Sequence, residues 1–117
     1  MRELIKPKIT EAAFTAQIIE LAQTFGWKTF HARPGMTSRI GKDGKAVWVT
    51  PVQGDGAGFP DLVMVRLSRL IFAELKSETG KVSPAQAEWF ALLQATGKAE
   101  VYTWKPSDWE TIVEILR

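Results

Sequence analysis

Apolar positions change their period several times along the chain, and each change marks an element. Phe14, Ile18, Leu21, Ala22 and Phe25 recur at three- and four-residue spacing, which predicts an amphipathic helix from Glu11 to about Phe25. Thr10 supplies its N-cap and Gly26 its natural stop. Trp27 to Arg33 then reads as a strand. Asp43-Gly44, flanked by Arg39-Ile40 and Ala46-Val47-Trp48-Val49, carries a strong hairpin signal. Two almost wholly apolar runs follow, Asp61 to Arg66 and Leu70 to Lys76. Continuous rather than alternating runs predict strands buried in the centre of a sheet. Ser83 and Gln86 form a capping box around Pro84 and open a second helix. That helix runs to about Thr96, buries Trp89 or Phe90 with Leu92 and Leu93, and ends at Gly97. Ala99 to Trp104 is a further strand. Ser107-Asp108-Trp109-Glu110 reads as a second capping box, opening a helix to about Leu116 with Ile112, Val113 and Leu116 inward.

The order helix, strand, hairpin arm, strand, strand, helix, strand, helix predicts an α/β sandwich with a mixed sheet. The crossover from the strand of Glu74 through the Ser83 helix to the strand of Val101 should be parallel and right-handed. The link between the two central strands, Leu67-Ser68, contains neither glycine nor asparagine, so a four-residue type I connection is expected rather than a primed turn. The 117 residues fit one domain with its own core. An apolar fraction of 45% and a charged fraction of 24% are those of an ordinary globular protein. The net charge of +2 permits a nucleic-acid partner without demanding one. The absence of cysteine excludes a disulfide framework, and with one histidine besides a structural zinc site is not expected. No apolar run approaches 18 residues and the amino terminus lacks a signal-peptide core, so an intracellular, cytoplasmic protein with no membrane partner is expected.

The chemistry concentrates at the two central runs. If they pair as an antiparallel hairpin, Asp61 at the start of the first lies beside Glu74 near the end of the second, with Cβ atoms about 4.5–5.5 Å apart. Lys76, two residues on, shares the strand face of Glu74. Two carboxylates so close are costly unless a positive charge sits between them. A hard divalent cation such as Mg²⁺ suits all-oxygen ligands and keeps several waters. It lowers the pKa of a bound water and stabilises charge on a phosphate. Lys76 would then orient the attacking water or neutralise the phosphate. The alternative is a Lys–Glu–Asp cluster at a sheet edge with no chemical role.

Other features lend themselves to both readings. Glu11 falls on the inward side of the first helix, yet an acid in a first turn is also favourable to the helix dipole. His31, near the end of its strand, is a secondary candidate for proton transfer or a hydrogen-bonded wall residue. Residues 34–60 hold six of the nine glycines. Arg33, Arg39, Lys42 and Lys45 make this arm basic, as phosphate-backbone contact requires, and a solvated surface hairpin would look the same. Trp48 gives the arm an apolar face that could serve a subunit interface. Gly54, Gly56 and Gly58 are read as allowing a sharp turn into the strand rather than as a phosphate loop, because no helix follows them.

Gly58-Phe59-Pro60-Asp61-Leu62, Glu74-Leu75-Lys76 and Gln86-Ala87-Glu88-Trp89, after an acid-bearing first helix, resemble the VRR-NUC domain family of the PD-(D/E)XK nuclease superfamily. The resemblance runs from about Thr10 to the carboxyl end. It implies a PD-(D/E)XK-like fold, with a central mixed sheet flanked by helices and here a basic hairpin arm. It makes Asp61 and Glu74 metal ligands, the carbonyl of Leu75 a further ligand and Lys76 the catalytic lysine. The helix acid maps to Glu11, acting on the metal directly or through water, with Glu20 as the alternative. Gln86 falls at the family's glutamine and supports the site as well as capping its helix. The implied activity is hydrolysis of a DNA phosphodiester with Mg²⁺, for which Mn²⁺ would substitute. Small stand-alone members are similar to homodimeric Holliday junction resolvases of phage and bacteria, and a twofold dimer suits a four-way substrate. A monomeric flap or nicking nuclease, and a non-catalytic DNA-binding module of the same fold, are the alternatives.

Overall fold

The structure is a computed structural model that describes residues 9–32, 37–40, 44, 46–49 and 54–117, with backbone only for 37–40 and 46–49. Thr10 caps α1, Glu11–Thr24, by accepting the Ala13 N–H at 3.1 Å. Gly26 ends the helix at φ +87, a conformation glycine adopts without a Cβ penalty. The chain reverses there into β1, Lys28–His31. The arm forms its own two-stranded antiparallel sheet from β2, Thr37–Ile40, and β3, Ala46–Val49, as the Asp43-Gly44 signal predicts.

The main sheet has the order β1-β4-β5-β6. β4, Leu62–Arg66, and β5, Arg69–Leu75, are the two central strands and pair antiparallel. β6, Glu100–Trp104, runs parallel to β5, as a helical crossover dictates. That crossover contains α2, Pro84–Ala95, and a short 3-10 turn at Pro106–Asp108 leads into α3, Trp109–Leu116.

One face of the sheet is closed and the other is half open. Leu62, Met64, Ile71, Ala73, Leu75 and Trp104 point to one side, where Phe14, Ile18 and Ala22 of α1 and Ile112 and Leu116 of α3 bury them. On the other side, Val63 and Phe72 are half-buried, while Phe30 and Val65 are 63% and 43% exposed. The expectation of strands buried on both faces is thus corrected. Among the described residues one helix, α2, serves the second face, and no residue of that helix is fully buried. Leu92, expected inward, is 59% exposed.

Two local expectations also change. The β4–β5 link is a two-residue turn, since Arg66 pairs with Arg69. Leu67 takes φ +54 there, although a branched side chain disfavours it by about 1–2 kcal/mol. Strand twist selects primed turns at two-residue links, and it outweighs the residue preference. Ser107 does not cap α3. Its N–H and hydroxyl both donate to Glu78, at 2.6 and 2.9 Å, and Asp108 instead accepts the Lys105 N–H one turn earlier.

Candidate active site

The register that pairs Leu62 with Ala73 sets Asp61 opposite Glu74, one step further along the hairpin. Both side chains stand on the half-open face, because Leu62 and Ala73 point into the closed core. The backbone there is braced from both sides: the Ala32 N–H donates to the Asp61 carbonyl at 3.1 Å, and the Lys76 N–H donates to the Trp104 carbonyl at 2.9 Å. Asp61 Oδ2 accepts the Leu75 N–H at 3.0 Å, which fixes its carboxylate across the hairpin.

Glu74 is 3% exposed, the one buried acid among the described residues. Its Oε1 accepts from Gln86 Nε2 at 2.8 Å and lies 3.7 Å from Lys76 Nζ. Its Oε2 is buried with no hydrogen-bond partner among the described residues. Burial first, and then the nearby Asp61 carboxylate, push the Glu74 carboxyl up to about 8; Lys76 acts in the opposite sense. A second carboxylate beside a buried one makes its ionisation costly, so this is where positive charge is wanted.

Gln86 caps its helix and also reaches Glu74. Its Oε1 accepts the Ser83 N–H at 2.9 Å, the Ser83 hydroxyl accepts the Gln86 N–H at 3.2 Å, and its Nε2 reaches Glu74. Leu75 closes β5 next to Glu74 and donates its N–H to Asp61, so its backbone belongs to the same edge. Glu11 is not brought in. It is exposed in the first turn of α1, and no group of three or more metal-ligating side chains forms among the described residues. The inward stripe of α1 is Phe14, Thr15, Ile18 and Ala22, and Glu11 lies one turn beyond the start of that packing. Glu20 is exposed too. His31 shares the row of Leu62 and therefore belongs to the face opposite the acids. Arg33, Lys42 and Lys45 lie outside the described residues, as do the side chains of Arg39 and Trp48.

The pattern Gly58-Phe59-Pro60 has a use that turn-forming propensity does not convey. Gly58 has φ +82, and a Cβ there would fall 2.6 Å from the Ala85 carbonyl carbon and 2.7 Å from the Gln86 nitrogen. The loop that delivers Asp61 therefore seats directly on the first turn of α2. Phe59 follows, edge-on to both Phe72 and Trp89 at 5.9 and 5.0 Å between centroids. The sequence signal for this contact is a glycine three residues before the acid, legible only once α2 is placed.

A four-stranded mixed sheet flanked by helices, with an acid pair and a lysine at the edge of its central hairpin, defines a PD-(D/E)XK-like nuclease fold. The family model described as VRR-NUC domain matches residues 14–104, and the chain belongs to that family. No curated protein and no solved structure matches it. The matched span holds Asp61, Glu74, Lys76 and Gln86 and begins after Glu11. Membership gives the chain a nuclease-type, DNA-processing function. No helix among the described residues is long and apolar enough to cross a membrane.

Proposed function

We propose that the chain is a divalent-metal-dependent DNA endonuclease that cuts branched DNA, four-way junctions in particular, as a homodimer. The observation that carries this reading is Glu74 Oε2, a buried carboxylate oxygen with no hydrogen-bond partner among the described residues, on a side chain that stands opposite Asp61 and whose other oxygen lies 3.7 Å from Lys76 Nζ. An orphaned buried acceptor is rare, because desolvating it without a bond is costly. The donor set is all oxygen, which fits Mg²⁺ with Mn²⁺ substituting, since such ions take one or two carboxylates and complete their shell with water and substrate phosphate. Asp61 and Glu74 would hold the ion, with the Leu75 carbonyl completing the protein's set. When bound, it would supply an activated water and charge stabilisation at phosphorus.

The residues of the chain do the rest. Gln86 holds one oxygen of Glu74 so that the other stays free. Lys76, 18% exposed in its side chain and 3.7 Å from Glu74, presents an ammonium to the attacking water and the scissile phosphate. Arg33, Arg39, Lys42 and Lys45 on the arm would contact phosphates outside the cleavage position. Phe30 and Val65, exposed on the half-open face, offer apolar surface for pairing two copies.

The test uses labelled four-way junctions and matched linear duplex, with Mg²⁺ and with EDTA. Cleavage of the junction only with metal, lost in Lys76→Ala, is the expected result. Equal cutting of linear duplex would remove the junction reading, and junction binding in EDTA with no product under any divalent ion would leave a non-catalytic module. A monomer in light scattering at the concentration of cleavage would point to a flap or nicking enzyme.

A further inference from the structure

The first turn of α2 touches both sides of the acid pair. It reaches Glu74 through Gln86, and it receives the loop that delivers Asp61 through Gly58. We infer that Ser83 is a positioning residue of the metal site, acting through the Gln86 carboxamide to keep Glu74 Oε2 available. This rests on the nuclease reading above and goes beyond it in assigning a role to a residue that touches neither acid.

A carboxamide has two different ends, and only the NH₂ end can donate to a carboxylate. Ser83 decides which end faces Glu74. Its backbone N–H donates to Gln86 Oε1 at 2.9 Å, which commits that oxygen and turns Nε2 toward Glu74 Oε1 at 2.8 Å. Its hydroxyl accepts the Gln86 N–H at 3.2 Å, which holds the backbone from which that side chain springs. Without the hydroxyl, the N-cap geometry relaxes and the carboxamide is free to rotate. Presenting Oε1 to Glu74 would set two acceptors against each other in a buried place. Glu74 would then turn for a new donor, and the ligand oxygen would move with it. Gly58 removes the slack on the opposite side, because its contact with Ala85 and Gln86 leaves no room for the helix end to shift toward the Asp61 loop.

A cap that only stabilised its helix would behave differently, and the chain contains the control. Thr10 caps α1 with the same kind of bond, Ala13 N–H to its hydroxyl at 3.1 Å, and among the described residues no side-chain hydrogen bond joins its helix to either acid. The experiment titrates Mn²⁺ into the full chain without DNA, reading free Mn²⁺ by electron paramagnetic resonance, with Glu74→Gln to define binding at this site. Ser83→Ala is expected to weaken that binding by about tenfold, the lower end of what outer partners of ligands contribute. Ser83→Thr, which keeps the hydroxyl, is expected to restore it. Thr10→Ala is expected to lower the melting temperature as Ser83→Ala does and to leave Mn²⁺ binding at the wild-type value. If Ser83→Ala binds Mn²⁺ as tightly as the wild type, the positioning role is overturned and the nuclease reading stands. If the wild type shows no Mn²⁺ site sensitive to Glu74→Gln, both fall together.

Discussion

Removing the charge of Glu74 should stabilise the metal-free protein, and the effect should depend on pH in a defined direction. In the folded state the carboxyl is pushed from the ordinary value of 4.5 up to about 8, by burial first and then by Asp61. The folded protein therefore holds a proton that the unfolded chain has released, throughout the interval between those values. Stability is fully present below pH 4.5 and is lost as pH rises toward 8, because the unfolded state binds fewer protons there. At about 1.36 kcal/mol per pH unit the full interval would correspond to roughly 4–5 kcal/mol, an upper bound because the site can relax as Glu74 ionises. A loss of about 2 kcal/mol between pH 5 and 8.5 in EDTA is the expected outcome for the wild type. Glu74→Gln keeps the shape, cannot ionise and should flatten the profile across that interval. Mg²⁺ should restore wild-type stability most at the alkaline end, where it replaces the lost proton, and should do little for Glu74→Gln. The assay is denaturant unfolding followed by circular dichroism at each pH, with and without the ion. Wild-type and Glu74→Gln profiles of the same slope would refute the reasoning, because Glu74 would then hold no proton in the folded state that the unfolded chain releases.

Three further outcomes follow from the packing. Leu67→Asn should stabilise the fold by about 0.5–1 kcal/mol, because asparagine tolerates φ +54 and Leu67 is 95% exposed, so no packing is lost; urea midpoints would show it. Ile18→Ala, at a fully buried position between α1 and the sheet, should cost about 2–5 kcal/mol by the same measurement. Arg66→Ala should cost roughly 1.5 kcal/mol, since its guanidinium donates to the carbonyls of Phe25, Leu116 and Arg117 and stacks 4.6 Å from the Trp27 ring. That change lies at the opposite end of the hairpin from Asp61, so metal-dependent cleavage should survive it.

What the residues alone conveyed follows the distance over which each signal acts. The pairing of Asp61 with Glu74 was legible because two runs joined by a short link leave few registers, and a one-residue slip would turn one strand over and send its acid into the core. The Ser83–Gln86 box was legible because it is local, four residues long and chemically specific. Its second contact, to Glu74, was not, since it depends on how α2 lies over the sheet. The exposure of Leu92 and Phe30 was hidden for a related reason: apolar periodicity says that a face wants cover, and does not say whether this chain supplies it. The Leu67 turn defeated residue preference because strand twist is a property of the pair. Glu11 shows the opposite failure, in which helical angle alone put an acid on the inward side although the packed stripe starts only at Phe14.

The claim on which the rest depends is that Asp61 and Glu74 share one divalent ion. The most direct measurement is an anomalous difference map of crystals grown with Mn²⁺. The account predicts one peak about 2.0–2.3 Å from an oxygen of each acid, Glu74 Oε2 among them, with Gln86 still on Oε1. Ordered carboxylates with no peak between them at saturating Mn²⁺ would contradict it.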